Sequence, residues 1–173
     1  MERSPNAVKI LIGAAILLVA VVAVVLIARG GGGDDTGTVS ADLGSKPTID
    51  VPSGSPPIEL VSKDIVTGDG QTAEEGDTVE VQYVGVDYAT GKEFDSSWDG
   101  DKPFSFQLGG GNVIPGWDQG VVGMKVGGRR ELVIPPDLAY GAQGSPPDIG
   151  PNATLIFVVD LLGVKSGSSQ PPG

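Results

Sequence analysis

From residue 58 to residue 164 the sequence is broken by Gly and Pro into short apolar runs, a punctuation that admits short strands and little else. Residues 78–86 alternate, with Val79, Val81 and Tyr83 on one face and Glu80 and Gln82 on the other, as a half-buried strand does. Residues 104–108 repeat that period, and 131–134 read as a further apolar strand. Residues 153–162 are almost wholly apolar or β-branched, which predicts a central strand. Residues 113–124 are the exception. Pro115 suits a first helical turn, and Trp117, Val121 and Met124 follow at spacings of four and three. Periodicity alone therefore predicts an antiparallel sheet with one short helix against it.

Upstream the composition changes. Residues 10–28 read I-L-I-G-A-A-I-L-L-V-A-V-V-A-V-V-L-I-A, nineteen positions without a charge or a strongly polar side chain. Roughly 20 helical residues cross the ~30 Å hydrocarbon core of a bilayer, so this run is expected to be a single-pass signal anchor. As a buried helix of a soluble protein it would need protein on every side. A cleaved signal peptide has an apolar part of about 7–15 residues and a small-x-small site. The run here is longer, and Leu26-Ile27-Ala28-Arg29 offers no clean site; cleavage would leave the remainder secreted. Arg3, Lys9 and the amino terminus precede the run, whereas Arg29, Asp34 and Asp35 follow it. That bias puts residues 1–9 in the cytoplasm and the rest outside it. Residues 29–57 are rich in Gly, Ser, Thr, Asp and Pro and are expected to form a flexible tether, stiffer near Pro47, Pro52, Pro56 and Pro57. The polar tail at 166–173 is expected to be disordered, leaving 58–165 as one domain.

The chain contains no Cys and no His. Disulfides, thiolate metal sites and Ser-His-Asp or Cys-His catalysis are thereby excluded. Residues 30–173 carry 8 Lys or Arg against 21 Asp or Glu, a surface that repels nucleic acid. No cofactor or metal is expected, and any chemistry falls to carboxylates, hydroxyls, amides or shape. The run 95–101, D-S-S-W-D-G-D, opens like a calcium loop, but Phe106 stands where a bidentate Glu is needed and the flanks read as strands. The three glycines at 109–111 lack the lysine of a phosphate loop and read as a turn. Asn152-Ala153-Thr154 matches a glycosylation sequon, whose use depends on the host.

Five pieces remain: V-Q-Y-V-G at 81–85, G-K-E-F-D-S-S at 91–97, V-I-P-G-W-D-Q-G-V-V-G-M-K-V-G-G-R-R at 113–130, P-P-D-L-A-Y-G at 135–141 and N-A-T-L-I-F-V-V-D-L-L at 152–162. In this order and at these spacings they resemble the FKBP-type peptidyl-prolyl cis-trans isomerases. The resemblance implies an α+β fold, a curved antiparallel sheet of about five strands wrapped around one short α-helix. It also implies a pocket that falls on Tyr83, Phe94, Asp95, Phe104, Val113, Ile114, Trp117, Tyr140 and Phe157. Each aromatic taken alone is more often plain core. Together they are more telling, because most of the four Phe, two Trp and three Tyr of the chain fall on these positions.

By the same resemblance, Asp95, Trp117, Tyr140 and Phe157 carry the isomerase activity, while Tyr83, Phe94, Phe104, Val113 and Ile114 line the substrate site. Trp117 would be the floor under the proline ring, and the Ile114 backbone N–H and the Tyr140 hydroxyl would hold carbonyls. Asp95 would hydrogen-bond near the twisting amide or orient its neighbours; its other reading is a turn residue accepting backbone hydrogen bonds. The sequence departs from the family pattern at Gly100, often basic, at Asn112, often acidic, and at Ser145 and Asp148, which replace a His and an apolar residue. Those departures leave peptide preference and drug affinity open. Expected partners are proline-containing peptides, unfolded or newly exported chains, macrolide ligands and, through residues 10–28, the membrane; the protein is expected to be a monomer. The competing reading is a membrane-tethered binding module or chaperone that keeps the fold and holds proline segments without turnover.

Overall fold

The computed structural model of the chain describes residues 37–100 and 102–167. The expected span at 10–28, the first residues of the expected tether and the tail from 168 onward lie outside the described residues. Among the described residues no helix is long and apolar enough to cross a membrane.

Among the described residues six strands build one antiparallel sheet: β1 (Val61–Val66), β2 (Thr78–Asp87), β3 (Glu93–Ser96), β4 (Phe104–Gln107), β5 (Arg129–Ile134) and β6 (Leu155–Lys165). Their order is β1-β5-β6-β2-β3, with β4 also paired to β2. β4 takes residues 78–81 of β2 and β3 takes 84–86, so the two short strands share one edge of the long one. β6 lies between β5 and β2, and every residue from Leu155 to Leu161 is buried. This is why its sequence lacks alternation: side chains on both of its faces are covered.

Among the described residues one α-helix, α1 (Pro115–Gly120), packs against β5. Close approach depends on two glycines. A Cβ on Gly116 would stand 2.4 Å from the Ile134 side chain, and one on Gly120 would stand 2.6 Å from Leu132. The helical spacing seen to Met124 overstates the helix, which stops at Gly120. The Val121 N–H still donates to the Trp117 carbonyl at 3.0 Å, and then Gly123, at φ 79°, turns the chain so that the Met124 N–H reaches the Val121 carbonyl. Trp117, Val121 and Met124 share one core through a helix and the turn leaving it.

Residues 37–57 correct the expectation of a flexible tether. From residue 37 the chain is strapped to the outer face of the sheet, opposite the helix. Val39 bridges Ile49, and the Asp50 N–H donates to the Thr38 carbonyl at 2.9 Å. Pro47 is buried, and Ile49 and Val51 pack on an outer cluster of Val84, Val86, Tyr88, Val133 and Ile156. Beneath the strap lies an ion pair between cross-strand neighbours, Arg129 and Asp160, with side chains 0% and 4% exposed and contacts of 2.5 and 2.7 Å. The remaining guanidinium N–H groups donate to the carbonyls of Ser40, Asp42 and Ser45 at 2.7, 2.9 and 3.1 Å. A buried guanidinium needs its donors satisfied. Backbone carbonyls supply that here, so a polar, glycine-rich composition did not prevent ordering.

The expected disordered tail is likewise held at its first two residues. Ser166 Oγ accepts from Gln71 Nε2 at 2.9 Å, and the Gly167 N–H donates to Asp77 at 3.1 Å.

Candidate active site

All nine predicted residues line one cavity of about 370 Å³ on the helix side of the sheet. Its floor is Trp117, which α1 holds against the core with only 4% of its surface exposed. Tyr83 and Phe157 stand edge-on to the indole, at centroid distances of 5.0 and 5.2 Å and interplanar angles of 84° and 90°. Phe104 meets it at 6.1 Å, and Phe94 stands edge-on to Phe157 at 5.5 Å. Edge-to-face pairs contribute about 0.5–1.5 kcal/mol each beyond simple burial, so the rings hold one another in a bowl that exists before any ligand arrives. Gly85 of β2 makes room for two of them, since a Cβ there would stand 2.7 Å from both Phe157 and Phe94 ring carbons. Trp117 Nε1 is buried with no hydrogen-bond partner among the described residues.

Asp95 sits on β3 at the cavity wall. Its Oδ2 accepts from the Tyr83 hydroxyl at 2.7 Å and its Oδ1 accepts from the Ser96 N–H at 2.9 Å. One side chain thus joins a pocket phenol to the backbone amide of the next residue on the strand. Burial, the hydrogen bond to Asp95, that carboxylate's charge and the nearby Tyr140 all push the Tyr83 phenol well above its ordinary range. Burial and the Asp95 charge push Tyr140 up as well. Both therefore remain neutral O–H donors at physiological pH.

The Tyr140 side chain stands between two 3-10 turns, Pro136–Leu138 and Gly141–Gln143, with 40% of its surface exposed. Its hydroxyl has no hydrogen-bond partner among the described residues, and the Ile114 N–H has none either. The Ile114 carbonyl, by contrast, caps the helix by accepting from the Trp117 and Asp118 amides. Asp118 accepts from the Gly109 and Gly111 amides at 2.8 and 3.1 Å, which ties the three-glycine turn to α1 and sets Asn112 and Val113 at the rim.

Asn112, Ser145 and Asp148, the departures read from the sequence, also line the cavity. Pro146 and Ile149 complete the lining and were not singled out from the sequence; an apolar Ile in a Pro- and Gly-rich loop was the available signal. The arm that carries Phe94 and Asp95 is held from behind. Lys46 of the strap reaches Glu93 at 2.8 Å and Asp99 at 3.0 Å. A cation thus supports the arm despite Gly100, yet it pairs with the flanking carboxylates and leaves Asp95 to Tyr83.

The family model described as FKBP-type peptidyl-prolyl cis-trans isomerase matches residues 69–162. An FK506-binding protein of Streptomyces anulatus is 59% identical over 120 residues, covering 69% of this chain and 97% of its own length. A probable FK506-binding protein of Corynebacterium glutamicum is 51% identical over 117 residues, with coverages of 68% and 97%. Among solved structures, AtFKBP13 matches with a TM-score of 0.58 at 39% identity, over 64% of this chain and 96% of that one. FkpA from Escherichia coli matches with a TM-score of 0.57 at 48% identity, over 62% and 49%. The matched segment runs from just after β1 into β6 and contains every aromatic wall of the cavity, and on that ground the chain belongs to the FKBP-type peptidyl-prolyl cis-trans isomerases.

Proposed function

We propose that the cavity accelerates rotation about X-Pro bonds by withdrawing water from the amide and bonding its neighbours, with no covalent intermediate. An amide resists rotation by about 18–20 kcal/mol because resonance gives its C–N bond double-bond character. The cis and trans states before proline differ by only about 0.5–1 kcal/mol, so the barrier is the whole problem. Water stabilises the planar form by bonding its polarised carbonyl. In the twisted form charge returns from oxygen to nitrogen, and less is lost when water is excluded. Trp117 is the floor for the proline ring in this reading, with Tyr83, Phe104, Val113, Ile114 and Phe157 around it. The Tyr140 O–H and the Ile114 N–H hold substrate carbonyls. Asp95 fixes the Tyr83 hydroxyl and, with Phe94, one wall. It transfers no proton, because the reaction requires none.

The observation that carries this reading is the preformed aromatic bowl beside two unclaimed hydrogen-bond donors. Its test is cis-to-trans isomerisation of a short X-Pro peptide by the full chain, with Trp117→Ala and Asp95→Val checked for folding. Each ~1.4 kcal/mol of barrier is a tenfold change in rate. The Trp117 variant is expected to lose at least about tenfold in kcat/KM, and the Asp95 variant less. A folded wild-type chain that binds the peptide without accelerating it would make this a binding module.

We further propose that residues 10–28 anchor the protein, with the domain outside the cytoplasm and newly exported chains as its clients. Uncatalysed prolyl isomerisation takes tens to hundreds of seconds, slow enough to limit their folding. Protease added to intact cells should remove the domain; protection would refute the placement. The names of the relatives suggest that the same cavity accepts FK506, which should then displace a prolyl peptide from it.

A further inference from the structure

We infer that this pocket selects proline segments in which the residue beside the proline is Lys or Arg. The inference rests on the isomerase reading of the same site and names its substrate class. Among the described residues two charged side chains line the cavity, Asp95 and Asp148, and no Lys or Arg does. They are not equivalent. Asp95 has both oxygens engaged, by the Tyr83 hydroxyl and the Ser96 amide. Asp148 is exposed, and its carboxylate has no hydrogen-bond or ion-pair partner among the described residues.

Its position is firmly set. Ser145 and Ile149 exchange backbone hydrogen bonds of 2.9 and 3.0 Å, closing a tight loop with Pro146 and Pro147 inside it. Ile149 is buried in the core and anchors the loop. Such a loop presents Asp148 at the rim at little entropic cost on binding. The proline ring is taken by the aromatic floor, so a neighbouring side chain reaches the rim, where this free carboxylate meets a cation and repels an anion. The surrounding field has the same sign, with 21 Asp or Glu against 8 Lys or Arg over residues 30–173, and it raises the local concentration of cationic chains.

The test compares kcat/KM of the full chain on matched peptides with Lys, Leu or Glu beside the proline. It is repeated with Asp148→Asn and Asp148→Lys, and with Asp69→Asn as a remote loss of one charge. A preference for Lys over Glu of about fivefold or more is expected at low salt, falling as salt is added, as an exposed ion pair dictates. It should shrink toward unity in Asp148→Asn, reverse in Asp148→Lys and persist in Asp69→Asn. Equal rates on the Lys and Glu peptides would overturn the inference while leaving the isomerase intact. So would a preference that survives both Asp148 variants, which would assign it to the general field. If no peptide is turned over at all, the isomerase reading itself fails, and this inference fails with it.

Discussion

Replacing Arg129 by Ala should cost more stability than any single change at the pocket, although Arg129 lies on the opposite face of the sheet. The guanidinium is fully buried and makes five hydrogen bonds, two to Asp160 and three to carbonyls of the strap. Removing it leaves Asp160 as an uncompensated carboxylate in the central strand. Breaking a buried pair from one side costs about 3–5 kcal/mol. The three carbonyls of Ser40, Asp42 and Ser45 lose their donors at the same time, and they regain partners only if the strap lifts into water. For a domain of this size each kcal/mol lowers Tm by roughly 3–5 °C, so a fall of about 10–20 °C is expected. Urea or thermal unfolding measures it, and limited proteolysis should reveal new cleavage between residues 37 and 57. A companion double variant, Arg129→Met with Asp160→Leu, tests the cause. It removes the orphan charge, and apolar replacement of a buried pair is often neutral. It should therefore be more stable than Arg129→Ala while remaining cleavable in the strap. A loss below about 1 kcal/mol for Arg129→Ala, or a double variant no more stable than the single one, would refute the reasoning.

Gly85→Ala should push Phe94 and Phe157 apart, because β2 is held between β3 and β6 and its backbone has no room to retreat. Overpacking of about 1–3 kcal/mol in unfolding experiments is expected, together with a reduced kcat/KM; unchanged activity would show that the rings adapt. Glu131 lies on the outer face with 5% of its surface exposed, and burial raises its pKa while Lys63, its cross-strand neighbour, pulls it back. A raised folded pKa means that stability is fully present below the ordinary value of 4.5 and is lost as pH rises through the folded value. Glu131→Gln should accordingly be more stable than wild type at pH 7, with the advantage gone in acid when unfolding is followed across pH. Lys46→Glu would replace two ion pairs by three neighbouring carboxylates. Exposed pairs contribute about 0–1 kcal/mol each, so a modest stability loss is expected. A several-fold lower kcat/KM, retained by Lys46→Arg, would show that the strap positions the arm bearing Phe94 and Asp95.

The pocket is legible in the sequence chiefly through the resemblance of its five pieces to the family and only partly through periodicity, since Val113 and Ile114 precede the helix and Tyr140 stands between two turns. Tyr83 follows the alternation of β2 and Trp117 follows a helix start marked by Pro115, whereas Phe157 lies in the non-alternating β6 and comes from the resemblance alone. The helix end was less legible, since Val121 and Met124 keep helical spacing although the chain leaves the helix at Gly120. The strap was misread for a deeper reason. Composition reports what side chains can bury, and residues 37–57 bury few. Their attachment runs largely through main-chain carbonyls, which every sequence possesses and none displays. Its trace lies in the partner strands instead: Arg129 opens β5 beside Gly128, and Asp160 interrupts an otherwise apolar β6. Two opposite charges in two strands otherwise fit for burial imply a buried pair, and a guanidinium with five donors beside one carboxylate still needs acceptors. Nothing in the sheet offers them, because the ladder already uses its carbonyls. A covering segment is thus demanded by Arg129 itself, and the carbonyls of Ser40, Asp42 and Ser45, upstream of β1, supply it.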